Sequence, residues 1–182
     1  MMLVNKYLRF SLATRHLSLK DVPKALSANE IYQTTITTHR SLKDIFGISH
    51  PKIVLSGLNP HASDNGLIGD EENRVIEPAA KKLSKKIRGV YGPLSADIAI
   101  YKAFKGEYDA VIAMYHDQAL IPLKITGAES GVNMTLGLKF IRTSPLHGTA
   151  FDLAAKGKFS NPGSLIAAIK LALRCAFIQK RA

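Results

Sequence analysis

The chain has 182 residues, 46% of them hydrophobic and 21% charged, enough to bury a sizeable core in one large domain. No apolar run approaches the roughly 20 residues of a membrane helix, and the amino-terminal Met-Met-Leu-Val-Asn-Lys-Tyr lacks the apolar stretch and small-residue cleavage site of a signal peptide. The net charge of +11 raises nucleic acid as a partner, but the basic residues are scattered.

The densest basic run, Lys81, Lys82, Lys85, Lys86 and Arg88, reads as the end of a helix with no aromatic residues interleaved. A solvated face that complements the helix dipole accounts for it. Anionic small molecules are a better use of the charge, so neither a nucleic-acid nor a membrane partner is expected. The single Cys175 has no internal disulfide partner and falls in a helical apolar pattern. A structural thiol in a cytoplasmic protein follows.

In chain order, residues 9–14 alternate like a strand and lead at once into Arg15 and His16. Ser27-Ala-Asn-Glu30 is a capping box opening a helix to about Phe46, stopped at Gly47. Residues 52–56 form a compact strand that exits through the turn Gly57-Leu-Asn-Pro-His61. A helix through Arg88, broken or kinked at Pro78, comes next. Then come a strand at 89–93, a helix over 96–104 capped by Ser95 or Asp97, and a buried strand at 109–114. Weaker strands are expected at 133–136 and 140–143, a helix at 147–155 and a clear helix at 163–179. Alternating strands and helices indicate an α/β fold, a largely parallel sheet with helices on both faces.

The stretch 109–124 carries the chemistry. A buried strand ends abruptly in Tyr115, His116, Asp117 and Gln118, with Lys124 further on. His16 and His61 also follow strands, so parallel pairing sets three imidazoles on one carboxyl-end rim, where open α/β sheets bind ligands. Two readings are open: a catalytic divalent-metal site with positions left for substrate, or three unrelated loop residues. Asp117 is placed to orient His116, and Asp97 either caps a helix or joins the site. Lys124, Asn133 and Arg142 are candidates for holding an anion, or else surface and turn residues. His39 and His50 read as surface residues, and His147 as a helix-start residue or a site neighbour. A Gly-x-Gly-x-x-Gly fingerprint, a phosphate-binding loop and a Gly-x-Ser-x-Gly elbow are all absent from the sequence.

Five blocks then carry a resemblance: Gly57-Leu-Asn-Pro-His-Ala62, Tyr91-Gly-Pro-Leu-Ser-Ala-Asp97, Tyr108-Asp-Ala-Val-Ile-Ala-Met-Tyr-His-Asp-Gln118, Asn133-Met-Thr-Leu-Gly-Leu138, and Phe140-Ile-Arg-Thr-Ser144 with His147-Gly-Thr-Ala150. In order and spacing, from about residue 1 to 172, the chain resembles the 4-hydroxythreonine-4-phosphate dehydrogenases of vitamin B6 biosynthesis. The resemblance implies a three-layer αβα fold like that of isocitrate and isopropylmalate dehydrogenases. It also implies NAD- or NADP-dependent oxidation of 4-phosphooxy-threonine to a 3-keto acid, which decarboxylates to 3-amino-2-oxopropyl phosphate. The metal, Zn, Mg or Co, is expected on His16, His61 and His116, with ligands contributed across a homodimer. Lys124, Asn133 and Arg142 match substrate-gripping residues, and Asp97 and Asp117 match catalytic-neighbourhood carboxylates.

Two local departures stand beside the site: Arg15 where the family usually has threonine, and Ala62-Ser-Asp64 where it commonly has Ala-Gly-Glu. Family members run to roughly twice a single ~150-residue domain, so the resemblance implies a truncated chain lacking the N-terminal domain. On that reading residues 1–160 form the metal- and substrate-binding domain with the dimer interface. Residues 161–182 form a helix that packs on the missing domain or exposes apolar surface. The expected consequences are little turnover alone and possible dependence on a separately encoded N-terminal half. The alternatives are a dehydrogenase of another phosphorylated four-carbon hydroxy acid and a non-catalytic remnant.

Overall fold

The computed structural model describes residues 1–148, 151, 155–159 and 161–180. Its strands are β1 (Met2–Val4), β2 (Arg9–Leu12), β3 (Ile53–Ser56), β4 (Val90–Leu94), β5 (Ala110–Ala113), β6 (Val132–Thr135) and β7 (Arg142–Pro145). They form a single sheet in the order β4-β3-β5-β2-β1-β6-β7. β2, β5, β3 and β4 pair in parallel, while β1, β6 and β7 join through antiparallel ladders. β6 therefore runs with the parallel set, and only β1 and β7 run against it. The short β1 escapes the sequence pattern because three residues are too few to show a period.

The parallel strands are apolar on both faces because helices cover both. Ile53, Leu55, Ile112 and Met114 point into one core with Ile31, Leu42, Ile76, Leu83 and Cys175. Val54, Val111 and Ala113 point the other way, onto Ala99, Ala103, Ala119 and Leu123. The result is the three-layer αβα arrangement. Each fully buried Ile or Leu contributes about 1.5–3 kcal/mol.

The helices are α1 (Val22–Ala25), α2 (Ala28–Asp44), α3 (Glu77–Ser84), α4 (Ala96–Phe104), α5 (His116–Gly127) and α6 (Gly163–Gln179). α2 begins as its capping box requires, with the Glu30 N–H donating to Ser27 Oγ at 3.1 Å. Ahead of α3 lies a π-helical turn, Glu72–Ile76, and Pro78 falls in the first turn of α3. A proline without an N–H is tolerated there. The expected break at Pro78 is thus a change of helix type. The helix also ends at Ser84 rather than Arg88, so Lys85, Lys86 and Arg88 lie off it.

α5 was not expected at all. Pro122 sits inside it, at a typical cost of about 3 kcal/mol, and burial of Gln118, Ala119 and Leu123 offsets this. The expected helix over 147–155 lies largely outside the described residues. α6 keeps its expected bounds and lies against β6 and β7, burying Ser164, Ala168 and Cys175. Its other side leaves Leu165, Ile166, Ile169, Leu173 and Phe177 exposed. Among the described residues no helix is long and apolar enough to cross a membrane.

Candidate active site

The site grows from the exits of β2 and β5. Their parallel pairing, Phe10 with Val111 through Leu12 with Ala113, continues past both strands. The Ala13 N–H donates to the Ala113 carbonyl at 2.9 Å and the Thr14 N–H to the Met114 carbonyl at 3.2 Å. Thr14 Oγ1 donates to the same Met114 oxygen at 2.6 Å. The chains leave the sheet side by side, and the His16 and His116 rings meet with centroids 5.3 Å apart and planes inclined by 47°.

His116 opens α5, and its Nδ1 lies 2.7 Å from Asp117 Oδ1. A proton on Nδ1 shared with that carboxylate leaves Nε2 free as a ligand or base. Asp117, in the first turn of α5, is also favoured by the helix dipole. The turn is anchored from within by buried Gln118. Its Oε1 accepts from the Met114 N–H at 2.7 Å, and its Nε2 donates to the Gly57 carbonyl at 2.8 Å. One side chain thus ties the exit of β5 to that of β3.

His61 stands apart. After β3, the Leu58 and Asn59 N–H groups donate to Oε1 of buried Glu72 at 2.7 and 2.8 Å. Asn59 Nδ2 reaches Glu72 Oε2 and Glu71 Oε2, each at 2.8 Å. The Asn59 bond holds the Glu71 carboxyl below its ordinary range. From this anchor the chain enters a left-handed turn in which His61, Ala62, Ser63, Asp64 and Asn65 all have φ between 45° and 68°. Each such non-glycine residue costs about 1–2 kcal/mol, so a candidate ligand sits on locally stored strain.

His61 is exposed and lines a cavity of about 420 Å³ with Lys81, Gly92 and Pro93. Its charged neighbour is Asp97. The Asp97 carboxyl is held below its ordinary range by the Ser95 hydroxyl first, then by the Ile98 N–H and, more weakly, by His61. The three histidines do follow three neighbouring parallel strands. Yet among the described residues no three His, Cys, Asp or Glu side chains converge on one metal position within the chain. His16 and His116, with Asp117 behind the latter, fit two ligands of such a site.

The anion-binding candidates are more dispersed. Lys124 is exposed on α5, about 12 Å along the helix axis from His116. Asn133 sits in β6 between Leu3 of β1 and Ser144 of β7. Its Oδ1 is shielded from solvent and has no hydrogen-bond partner among the described residues. A buried acceptor left open in this way invites a donor. Arg142 begins β7 and donates from Nη1 to Thr135 Oγ1 at 2.8 Å. No hydrogen bond links the three among the described residues. The positioning groups Glu72, Asn59 and Gln118 escape sequence reasoning. Nothing in the one-dimensional pattern separates buried Glu72 from exposed Glu71, and Gln118 announced itself only as part of a polar cluster.

The unit that carries the site is an αβα domain with a histidine pair at the carboxyl rim of its parallel strands. The model of pyridoxal phosphate biosynthetic protein PdxA matches residues 1–172, and the chain belongs to that family. It is 49% identical over 176 residues to a 4-hydroxythreonine-4-phosphate dehydrogenase of Roseobacter denitrificans, covering 97% of this chain and 54% of that protein. The crystal structure of such a dehydrogenase from Klebsiella pneumoniae superposes with a TM-score of 0.86 at 38% identity, over 98% of this chain and 53% of that one. A terephthalate 1,2-cis-dihydrodiol dehydrogenase from Burkholderia xenovorans gives 0.77 at 31% identity, over 95% and 54%. The chain spans about half the length of the relatives it matches.

Proposed function

We propose that this chain supplies the metal-binding half of an NAD- or NADP-dependent dehydrogenase acting on 4-phosphooxy-threonine. The single observation that carries the reading is the His16–His116 pair, backed by Asp117 and fixed by the β2–β5 register, in a chain of the PdxA family. His16 and His116 of one copy, and His61 of a second copy in a homodimer, would hold a divalent cation (Zn, Mg or Co). Bound there, it would supply Lewis-acid polarisation of the substrate hydroxyl.

This chain's own residues then do the following. Asp117 keeps His116 in the ligating tautomer. Asp97, beside His61 and with its carboxyl held below its ordinary range, would stand at the shared site with that histidine and accept the substrate hydroxyl proton; a bound NAD or NADP would supply the hydride acceptor for C3. The 3-keto acid so formed loses carbon dioxide, giving 3-amino-2-oxopropyl phosphate. Lys124 and Arg142 bind the phosphate by charge, and a substrate donor satisfies Asn133 Oδ1.

The half-length match and the apolar outer side of α6 support a further requirement. Leu173 and Phe177, 54% and 66% exposed, form a surface suited to cover by another polypeptide, namely the part of the relatives that this chain does not match. The test is NADH formation from 4-phosphooxy-threonine. The chain alone should turn over negligibly, and adding the separately produced N-terminal half of a relative should restore a rate. No rate in the mixture would refute the reading, and a full rate from the chain alone would refute the need for the other half.

A second reading keeps the chemistry and changes the substrate. It is favoured by the similarity to a dehydrogenase named for a different substrate. A faster rate on a phosphorylated four-carbon sugar acid than on 4-phosphooxy-threonine would select it.

A further inference from the structure

At the opposite end of the same strands lies a second concave site, of about 480 Å³. Three segments converge on it. α2 contributes His39 and Lys43, the approach to β3 contributes His50 and Lys52, and the α3–β4 connection contributes Lys86 and Arg88. Pro51, Ile87 and the half-exposed ring of Tyr91 complete the wall. Among the described residues no carboxylate lines it. Two acids stand beside it: Asp109 Oδ2 accepts from the Lys52 N–H at 2.8 Å, and Asp44 is a charged neighbour of His39.

A solvated basic surface does not account for this arrangement. None of Lys43, Lys52, Lys86 and Arg88 has an ion-pair partner among the described residues. His39 and Lys43 stand four apart on one face of α2. Lys86 and Arg88 have left α3, so the helix dipole no longer explains them.

The backbone sets the start points of two of these cations, Lys52 and Arg88. Gly89 has φ +83°, and a Cβ there would meet the Pro51 carbonyl at 2.2 Å. The Ile53 N–H donates to the Gly89 carbonyl at 2.7 Å, and the Asp109 N–H to the Lys52 carbonyl at 2.7 Å. Lys52 and Arg88 are therefore locked onto adjoining strand starts. A concave wall of one sign concentrates counter-ions, and burial together with Lys43 already pushes the His39 imidazole below its ordinary pKa.

We infer that this cavity binds a small polyphosphate anion, at a site separate from the histidine rim. The four exposed cations, Lys43, Lys52, Lys86 and Arg88, match two or more phosphate groups, and the volume lies within the usual range for small ligands. A strand of four residues separates the two ends by about 13 Å, so occupancy here leaves the rim open. The phosphates could come as inorganic polyphosphate or on a nucleotide, whose base would stack on Tyr91.

The test is calorimetric titration of the whole chain with tripolyphosphate, and in parallel with ATP. One site per chain is expected, with tighter ATP binding if the base stacks. The double variant Lys86→Glu/Arg88→Glu should weaken binding about tenfold or more. Lys52→Gln, a milder change, should weaken it less. Lys158→Glu/Lys180→Glu, with the same change in net charge, should leave it within about twofold, as should His116→Ala. Equal loss in the Lys158/Lys180 control, wild-type affinity in Lys86→Glu/Arg88→Glu, loss in His116→Ala, or tighter binding of single-stranded RNA than of either probe would each overturn the inference.

Discussion

His16 and His116 lie with ring centroids 5.3 Å apart although most of the chain separates them in sequence. The proximity comes from register. β2 and β5 pair in parallel and stay bonded through Thr14 and Met114, so each chain leaves the sheet at the same height and delivers its histidine within two residues. The pair is set by the register of the strands it follows, with His16 in the bend after β2 and His116 at the start of α5, and a metal or substrate need not create it.

That pair depends on Gln118. Removing its amide leaves the Met114 N–H and the Gly57 carbonyl without partners in a buried place. Each buried group so stranded costs about 1–3 kcal/mol. Gln118→Ala is therefore expected to lower stability by a few kcal/mol in urea denaturation and to weaken metal binding although Gln118 touches no metal. Gln118→Glu keeps the acceptor and loses the donor, so its loss should be intermediate.

Glu72 plays the matching part for His61. One carboxylate collects the Leu58 and Asn59 N–H groups and the Asn59 amide, and the left-handed turn follows directly. Glu72→Ala is expected to destabilise the fold by about 3 kcal/mol, since hydrogen bonds to charged groups are the strong ones. Proteolysis after residues 61–65 should become faster as the turn relaxes. Equal stability of wild type and variant would show that the turn holds itself.

Cys175 is buried, and burial pushes its thiol above the ordinary value of 9.0. A pKa raised by folding means the thiol's contribution is fully present below the unfolded pKa. It is lost as pH rises, because the unfolded chain ionises first. The unfolding midpoint of the wild type should thus fall more steeply than that of Cys175→Ala as pH rises through and above 9.0. A thiol reagent should label native protein only at the rate of global opening.

Much of the fold was legible because two periodicities carry it. The apolar runs that became β3 and β5, the capping box at Ser27 and the amphipathic α6 all appear where the sequence places them. α5 was hidden because its first residues are polar and a proline interrupts it. The end of α3 was misplaced because a lysine-rich run keeps helical propensity beyond the point where the chain must turn back into β4. At the site, sequence reading placed the three histidines after three neighbouring parallel strands, since each follows an apolar run. It did not find that His61 diverges toward Asp97, because the left-handed turn at 61–65 contains no glycine until Gly66 and so gives no local signal. Partners that act through one buried side chain, Glu72 and Gln118, are set by tertiary packing and leave no mark on spacing.

The most direct test of a shared metal site is complementation between two variants that each lack one contribution. His61→Ala and His116→Ala, purified separately, should each hold little zinc after dialysis. Mixed through a denaturation and refolding cycle, random pairing in a two-fold dimer makes half the dimers mixed. Each mixed dimer has one intact site, so zinc content should recover to about a quarter of wild type. A mixture that holds no more zinc than its two components, or single variants that already bind as wild type, would contradict a site built from His16 and His116 of one copy and His61 of another.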